Sequence, residues 1–294
     1  MIEKLTTEIA KVIIGKETQI KLLLTCFLSD SHLLLEDIPG VGKTTLAHAL
    51  ASVLDLSFSR IQFTSDMMPS DIIGVNIFNT SSASFEFKQG PIFHTFILAD
   101  EINRASAKTQ SALLEAMSER SVSVDSTSYK LNKNFFVIAT KNPIEEHGVY
   151  KLPQSELDRF GMSLSLGYPH KEAQRAILKK EAIDYASLEK ISIEDINRLK
   201  ESVHKVHLSD EILDAIENLL EYSRESNEFL YGISTRGSLD MVNILSAYAV
   251  VEGRDYVIPS DINDTLEFII GHRLQKKQGD SSAKEMARLL ISQI

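Results

Sequence analysis

Over its first 170 residues the chain alternates short apolar runs with segments of helical period. His32 to Glu36, Thr95 to Ala99 and Phe135 to Thr140 are compact apolar stretches, while Ser57 to Phe63 and Met162 to Leu166 alternate apolar with polar positions. Runs of this length and composition predict five strands. Between them lie helical patterns, the clearest being Lys108 to Glu119. Residues 1–30 predict two helices, with Leu5, Ile9, Val12 and Ile13 on one face and Ile20 to Phe27 as a second apolar segment. Strands that take turns with helices imply a largely parallel sheet covered on both faces.

Two stretches break this rhythm and predict hairpins. One spans Ile73 to Pro91, with Val75 to Phe78 and Phe85 to Phe87 flanking the polar tip Thr80-Ser81-Ser82; the other joins Ser121 to Val124 with Tyr129 to Leu131 through Asp125 to Thr127. Decoration is the ordinary reading of such hairpins, but loops on a rigid scaffold are also where partner contacts concentrate. From residue 170 onward the pattern is helical throughout. Ser192-Ile-Glu-Asp195 fits a capping box, Ser209 stands before Ile212, Leu213, Ile216, Leu219 and Leu220, and a further helix carries Leu239, Val242, Leu245 and Ala249. Pro259-Ser260 opens what reads as the last long helix, followed by a polar, mobile tail from Gln275 to Ser282. The expected organisation is an αβα domain over residues 1–169 and a smaller all-helical domain over 170–294.

Composition narrows the class. The chain of 294 residues is 43% hydrophobic and 24% charged, as soluble globular proteins are. With 31 basic against 41 acidic residues its formal charge is −10, which argues against coating nucleic acid, because phosphate backbones select basic surfaces. Cys26 stands alone, so neither an internal disulfide nor a cysteine-rich zinc site can form. Met1-Ile-Glu-Lys4 lacks a secretory pattern, and no run approaches the ~20 apolar residues of a membrane span. A reducing cytoplasm is the expected compartment, without membrane insertion.

The chemistry starts at Asp37-Ile-Pro-Gly-Val-Gly-Lys43-Thr44-Thr45, which follows the first apolar run and opens a helical segment. Strand, glycine-containing turn and helix start together make a phosphate-binding loop, with freed backbone N–H groups facing the phosphates and the helix dipole adding to them. Lys43 is positioned to reach the β- and γ-phosphates and Thr44 to ligate Mg²⁺. Pro39, Gly40, Val41, Gly42 and Thr45 complete the cradle. The usual pattern begins with glycine where this chain has Asp37. Aspartate tolerates left-handed geometry, but its carboxylate is unfavourable beside phosphate unless it points away.

Asp100-Glu101 ends the run Phe96 to Ala99, and ligands gather at the carboxyl ends of parallel strands. Asp100 is expected to hold Mg²⁺ through water, and Glu101 to orient and deprotonate the attacking water. Asn142, after another buried strand, can bridge that water and the γ-phosphate, although Asn142-Pro143 equally favours a plain turn. Arg159 sits between buried-looking residues, where it can serve as an arginine supplied across a subunit interface or simply pair with Asp158. Arg236 lies at a helix start, a place that ordinarily disfavours cations, and from there it could touch phosphates. His204 and His207 lack a third partner for a metal, and Met67-Met68 reads as gap-filling at a seam.

Taken together, Pro39 to Thr44, Arg60 to Thr64, Gly90 to Phe93, Leu98 to Ala105, Thr109 to Glu115, Thr140 to Pro143 and Leu157 to Phe160 resemble, in this order, the AAA+ ATPases of the MoxR family. The likeness runs from about Val12 to Leu274. It implies a P-loop NTPase sandwich with a five-stranded parallel sheet and a helical lid, ATP and Mg²⁺ as cofactors, and a homo-hexameric ring. It implies Walker A at Gly42, Lys43 and Thr44, Walker B at Asp100 and Glu101, sensor 1 at Asn142, an arginine finger at Arg159 and sensor 2 at Arg236. Ile14 and Gly15, in the turn ahead of the loop, then fall on the adenine side, and the hairpins correspond to the helix-2 and pre-sensor-1 insertions. The resemblance also implies client proteins to assemble or activate, often beside a partner with a von Willebrand factor A domain. Two other readings stay open: a nucleic-acid motor, opposed by the acidic balance and the absence of a basic hairpin tip, and a nucleotide-binding scaffold with little hydrolysis.

Overall fold

The computed structural model describes residues 1–125, 127–142, 149–179, 185–279 and 281–293. Its five-stranded sheet comprises β1 (Leu33–Glu36), β2 (Phe58–Gln62), β3 (Phe96–Asp100), β4 (Phe136–Lys141) and β5 (Met162–Leu164). The spatial order is β2-β3-β4-β1-β5, and every pairing in it is parallel. The predicted α/β sandwich with a parallel sheet is therefore present. Register places Leu33 beside both Ile138 and Met162, and Phe96 beside both Phe58 and Phe136.

Because side chains along a strand alternate between faces, each run feeds two cores. Leu33, Leu35, Phe96, Leu98, Phe136 and Ile138 join one cluster, while Leu34, Ile97, Ala99, Val137 and Ala139 join the other. The second core is closed by the helix Ala107–Glu119, whose Leu113, Leu114 and Met117 are buried in it. The first core continues well past the sheet. It takes in Leu5 and Ile9 from Ile2–Ala10, Ile20 and Leu24 from Glu17–Leu28, and Ile244, Leu266 and Leu290 from the helices after residue 170. The N-terminal helices and the C-terminal ones thus share a single apolar interior.

Both hairpins are present, Gly74–Asn79 with Ser84–Gln89 and Ser121–Val124 with Thr127–Lys130, although Ser126 lies outside the described residues. The strands Gly74–Asn79 and Ser84–Gln89 leave Ile77, Phe78 and Phe85 exposed, whereas Phe87 stacks on Tyr129 of the second hairpin. After Lys171 the described elements are helical, as expected, but the ending differs. A further helix, Ala283–Ile291, follows Pro259–Ile270 and buries Met286, Ala287 and Leu290. Leu289 and Ile291 pack against the same core half-buried, but nine residues after a polar stretch are too short a period to stand out. The start of that stretch is tied down, since Leu230 N donates to Gln275 O and Lys277 N to Glu228 O, while Asp280 lies outside the described residues. Ser192 caps its helix through the Asp195 N–H, but Ser209 makes no side-chain cap bond. Leu213 and Leu239 fall on exposed faces, because the buried stripes run through Ile212, Ile216 and Leu219 and through Met241, Ile244 and Leu245. No helix among the described residues is long and apolar enough to cross a membrane.

Two buried histidines make stability depend on pH. His32 Nδ1 accepts from Val137 N–H and Nε2 lies 3.2 Å from the Met117 carbonyl, which fixes a neutral ring. Burial, with Arg120 nearby, pushes its pKa down to about 3, and burial holds His272 well below its ordinary value too. Below pH 6.5 the unfolded chain therefore takes up protons that the folded chain refuses, so stability falls with acid. Between pH 7 and 5 His32 should remove about 2 kcal/mol, read from urea midpoints, and His272 adds a loss of the same sign. In His32→Gln the loss between pH 7 and 5 should shrink by about that 2 kcal/mol.

Candidate nucleotide site

The loop after β1 turns through Gly40 at φ 83° and Gly42 at φ 96°, left-handed positions that demand glycine. Gly42 is the N-cap of the helix Lys43–Val53, so its unpaired amides face the turn. The loop after β1, strand β2 and the ends of β3 and β4 meet there around a cleft of about 380 Å³, lined by residues that include Gly40, Gly42, Lys43, Thr44, Asp100, Glu101 and Asn142. Pro39 and Thr45 line it as well. The parallel order explains the gathering: β1, β3 and β4 are neighbours, so the loop, the acidic pair and Asn142 all leave the same edge. Asn142 is buried; Pro143 lies outside the described residues.

Within the cleft every charge has a protein partner. Lys43 Nζ donates to the Asp37 carbonyl at 2.9 Å. Asp100 accepts from Thr140 Oγ1 at 2.6 Å on one oxygen and from Arg60 at 2.6 and 3.2 Å on the other. Glu101 pairs with Arg104 at 2.9 Å, and its backbone is left-handed at φ 57°. That conformation is strained for a residue with a side chain. Thr140 Oγ1 holds it in place by accepting from the Glu101 N–H at 2.9 Å. Arg60, Gln62 and Thr140 thus belong to the site, although sequence reasoning gave them no role. Arg60 and Gln62 sit two apart on β2, so both point to one face, and that period was the available signal.

Asp37 takes the placement that a carboxylate beside a phosphate loop requires. Its carboxylate is turned away from the cleft and accepts from Ser165 Oγ at 2.8 Å, Gly167 N at 3.2 Å and Leu166 N. Val41 packs against the first core. Ile14 is exposed, and Gly15, at φ 70°, lies so close to His170 that an added Cβ would fall 1.8 Å from its Nε2; neither lines the phosphate cleft.

Arg159 and Arg236 also lie elsewhere. They line a second cleft of about 330 Å³ together with Asp30, His32, Arg120 and Asp240. Ser29 to His32 precede β1 whereas the phosphate loop follows it, so the clefts are separated by roughly the length of that strand, ~13 Å. Asp158 does not serve Arg159. Its oxygens take Arg273 Nε at 2.9 Å and Ser234 Oγ at 2.7 Å, and buried Arg273 also pairs with Asp240. Arg159 Nε is buried without a hydrogen-bond partner among the described residues. No group of three His, Cys, Asp or Glu side chains able to hold a metal occurs among the described residues.

Residues 32–162 match the ATPase family associated with various cellular activities (AAA), and residues 221–292 match the AAA lid domain. The chain is 43% identical to the uncharacterised protein YeaC of Bacillus subtilis, over 93% of this chain and 87% of that one. It is 37% identical to the chaperone MoxR1 of Mycobacterium tuberculosis, over 93% of this chain and 75% of that one. A crystal structure from Cytophaga hutchinsonii, solved as a candidate ATPase, superposes with a TM-score of 0.91 at 36% identity, covering 100% of this chain and 94% of that one.

The Thr140 hydroxyl bridges both acidic positions, so Thr140→Val should strand the Glu101 N–H and one Asp100 oxygen. A loss of about 2–3 kcal/mol in urea unfolding is expected, with Thr140→Ser within ~1 kcal/mol of the native chain.

Proposed function

The chain belongs to the MoxR family of AAA+ ATPases, and from that premise we propose that it hydrolyses Mg²⁺-bound ATP in the cleft after β1 and uses the cycle to remodel or activate partner proteins. The observation that carries this reading is the single cleft shared by Lys43, Thr44, Asp100, Glu101 and Asn142. The glycine turn and the amides at the start of Lys43–Val53 cradle the phosphates. Lys43 exchanges the Asp37 carbonyl for phosphate oxygens. Thr44 and Asp100 are a hydroxyl and a carboxylate in one cleft, the donor set that Mg²⁺ prefers. One Asp100 oxygen is already committed to Thr140, which fits a hold through water. When bound, the metal neutralises charge on the phosphates.

Glu101 orients the attacking water and takes its proton, after leaving Arg104. Asn142 holds that water against the terminal phosphate. Arg159 and Arg236 lie a strand's length from their own phosphate loop, which supports action on a neighbouring subunit's nucleotide. A head-to-tail contact of that kind closes into a ring, proposed as a hexamer. The exposed Ile77, Phe78 and Phe85 of the first hairpin are the proposed meeting place for client proteins, including a partner with a von Willebrand factor A domain. Work of this kind suits the cytoplasm, where the buried Cys26 stays reduced. The apolar character of that hairpin, in an acidic chain, favours protein clients over DNA.

Glu101→Gln should retain ATP through purification while phosphate release falls about 10²–10⁴-fold. Turnover like the native chain's would remove Glu101 from its role. Arg159→Ala should lose about 10³-fold or more in turnover. Titrating it with Lys43→Ala subunits should restore part of the rate, because mixed neighbours pair an intact cleft with an intact arginine. No recovery at any ratio would count against action in trans, and stimulation by DNA but by no protein would favour the motor.

A further inference from the structure

Asp37 spends each of its polar groups on a different part of the site. Its N–H donates to the Lys141 carbonyl, one residue before Asn142. Its carbonyl receives Lys43 Nζ at 2.9 Å. Its carboxylate, on a residue only 5% exposed, receives Ser165 Oγ, Leu166 N and Gly167 N. Those three donors begin the connection that leaves β5, the segment that runs on to His170, whose Nδ1 caps the helix Lys171–Leu178 through Ala173 N–H. The same connection is gripped a second time from the turn ahead of the phosphate loop, where Lys16 Nζ donates to the Leu166 and Tyr168 carbonyls. Gly15 fits under His170 only because it has no side chain.

On the reading of the cleft as an ATP site, we propose that Asp37 is a positioning residue that transmits occupancy of the phosphate loop to the 165–170 connection and the helix behind it. The physical route is short. Lys43 Nζ has three donors, one of them on the Asp37 carbonyl, so phosphates that draw Nζ toward them pull on that bond, and the carbonyl and the carboxylate hang from one Cα. The carboxylate's three donors are a hydroxyl and two amides, all uncharged, so arriving phosphates act on an anion that no basic hydrogen-bond partner shields. Glycine at this position, the usual residue of the loop, would keep the turn and lose the grip. The departure from the common pattern is therefore a coupling device.

The test is hydrogen exchange followed by mass spectrometry on the full chain, empty and saturated with Mg²⁺ and a non-hydrolysable ATP analogue, with saturation verified by calorimetry. In the native chain, peptides covering 165–178 should change their exchange rate on binding by about threefold or more. In Asp37→Gly the empty protein should exchange the Leu166 and Gly167 amides about tenfold faster, and binding should alter 165–178 by less than ~1.5-fold. Asp37→Asn, which keeps an acceptor and drops the charge, should fall between. Should Asp37→Gly fail to fold, Ser165→Ala removes one donor at an exposed position and should lower the response in the same direction. A saturated Asp37→Gly with the native response overturns the proposal, as does a saturated native chain with no response at 165–178. A native chain that takes up no analogue in calorimetry defeats the ATP-site reading itself, and the coupling with it.

Discussion

The direction of the strands is the constraint from which the site follows. With β1 between β4 and β5, and β3 beside β4, all parallel, three chain segments end side by side at one edge. An antiparallel partner at any of these places would send its chemistry to the opposite edge. Edge position alone does not aim side chains, however. That falls to Thr140, whose hydroxyl donates to Asp100 and accepts from Glu101 N–H. Glu101 is bent into a left-handed turn immediately after β3, so its carboxylate leaves the strand sideways, toward Arg104, where an extended backbone would have carried it onward.

The other edge is built with equal economy. Arg273 is buried and spans Asp158, Asp240 and the carbonyls of Gly161 and Ile269. Gln154 adds bonds to the carbonyls of His272 and Arg273. The segment 154–161 that carries Arg159 is thereby fastened to two C-terminal helices, and a buried charge with several partners is costly to disrupt. Because the first core is also continuous from Leu5 to Leu290, a shift of the C-terminal helices must move Arg159 with them or break that knot. In the proposed ring, this makes helix position and the arginine offered to the neighbour a single mechanical variable.

Much of this was legible in the chain. The apolar runs Leu33 to Leu35, Phe96 to Ala99 and Phe136 to Ala139 have no competing helical period, so strand type and the loop-bearing edge were readable from them. Lys43 and Thr44 were readable from the glycine turn that opens a helix, and Asp100, Glu101 and Asn142 from their places at strand ends. What escaped notice depends on contacts far apart in sequence. Arg60 meets Asp100 across 40 positions, Asp37 meets Ser165 across 128, and Arg273 meets Asp158 across 115. No local period encodes such pairs. Arg236 shows the limit most clearly: its place at a helix start was evident, but which cleft that helix start faces depends on how the C-terminal helices pack on the first core.

Arg60 on Asp100, Lys43 on Asp37 and Arg104 on Glu101 give the cleft its own internal set of charge partners. Lone lysine or carboxylate groups in such a cleft would swing among rotamers and have to be ordered by the ligand. Here they are ordered already, and on the proposed reading a nucleotide would enter by drawing Arg60 and Lys43 away from their present partners. Each exchange frees a group on a defined element, β2 for Arg60 and the loop after β1 for Asp37. In the proposed cycle, binding energy would be converted into released contacts at those fixed places, the ones from which motion would spread.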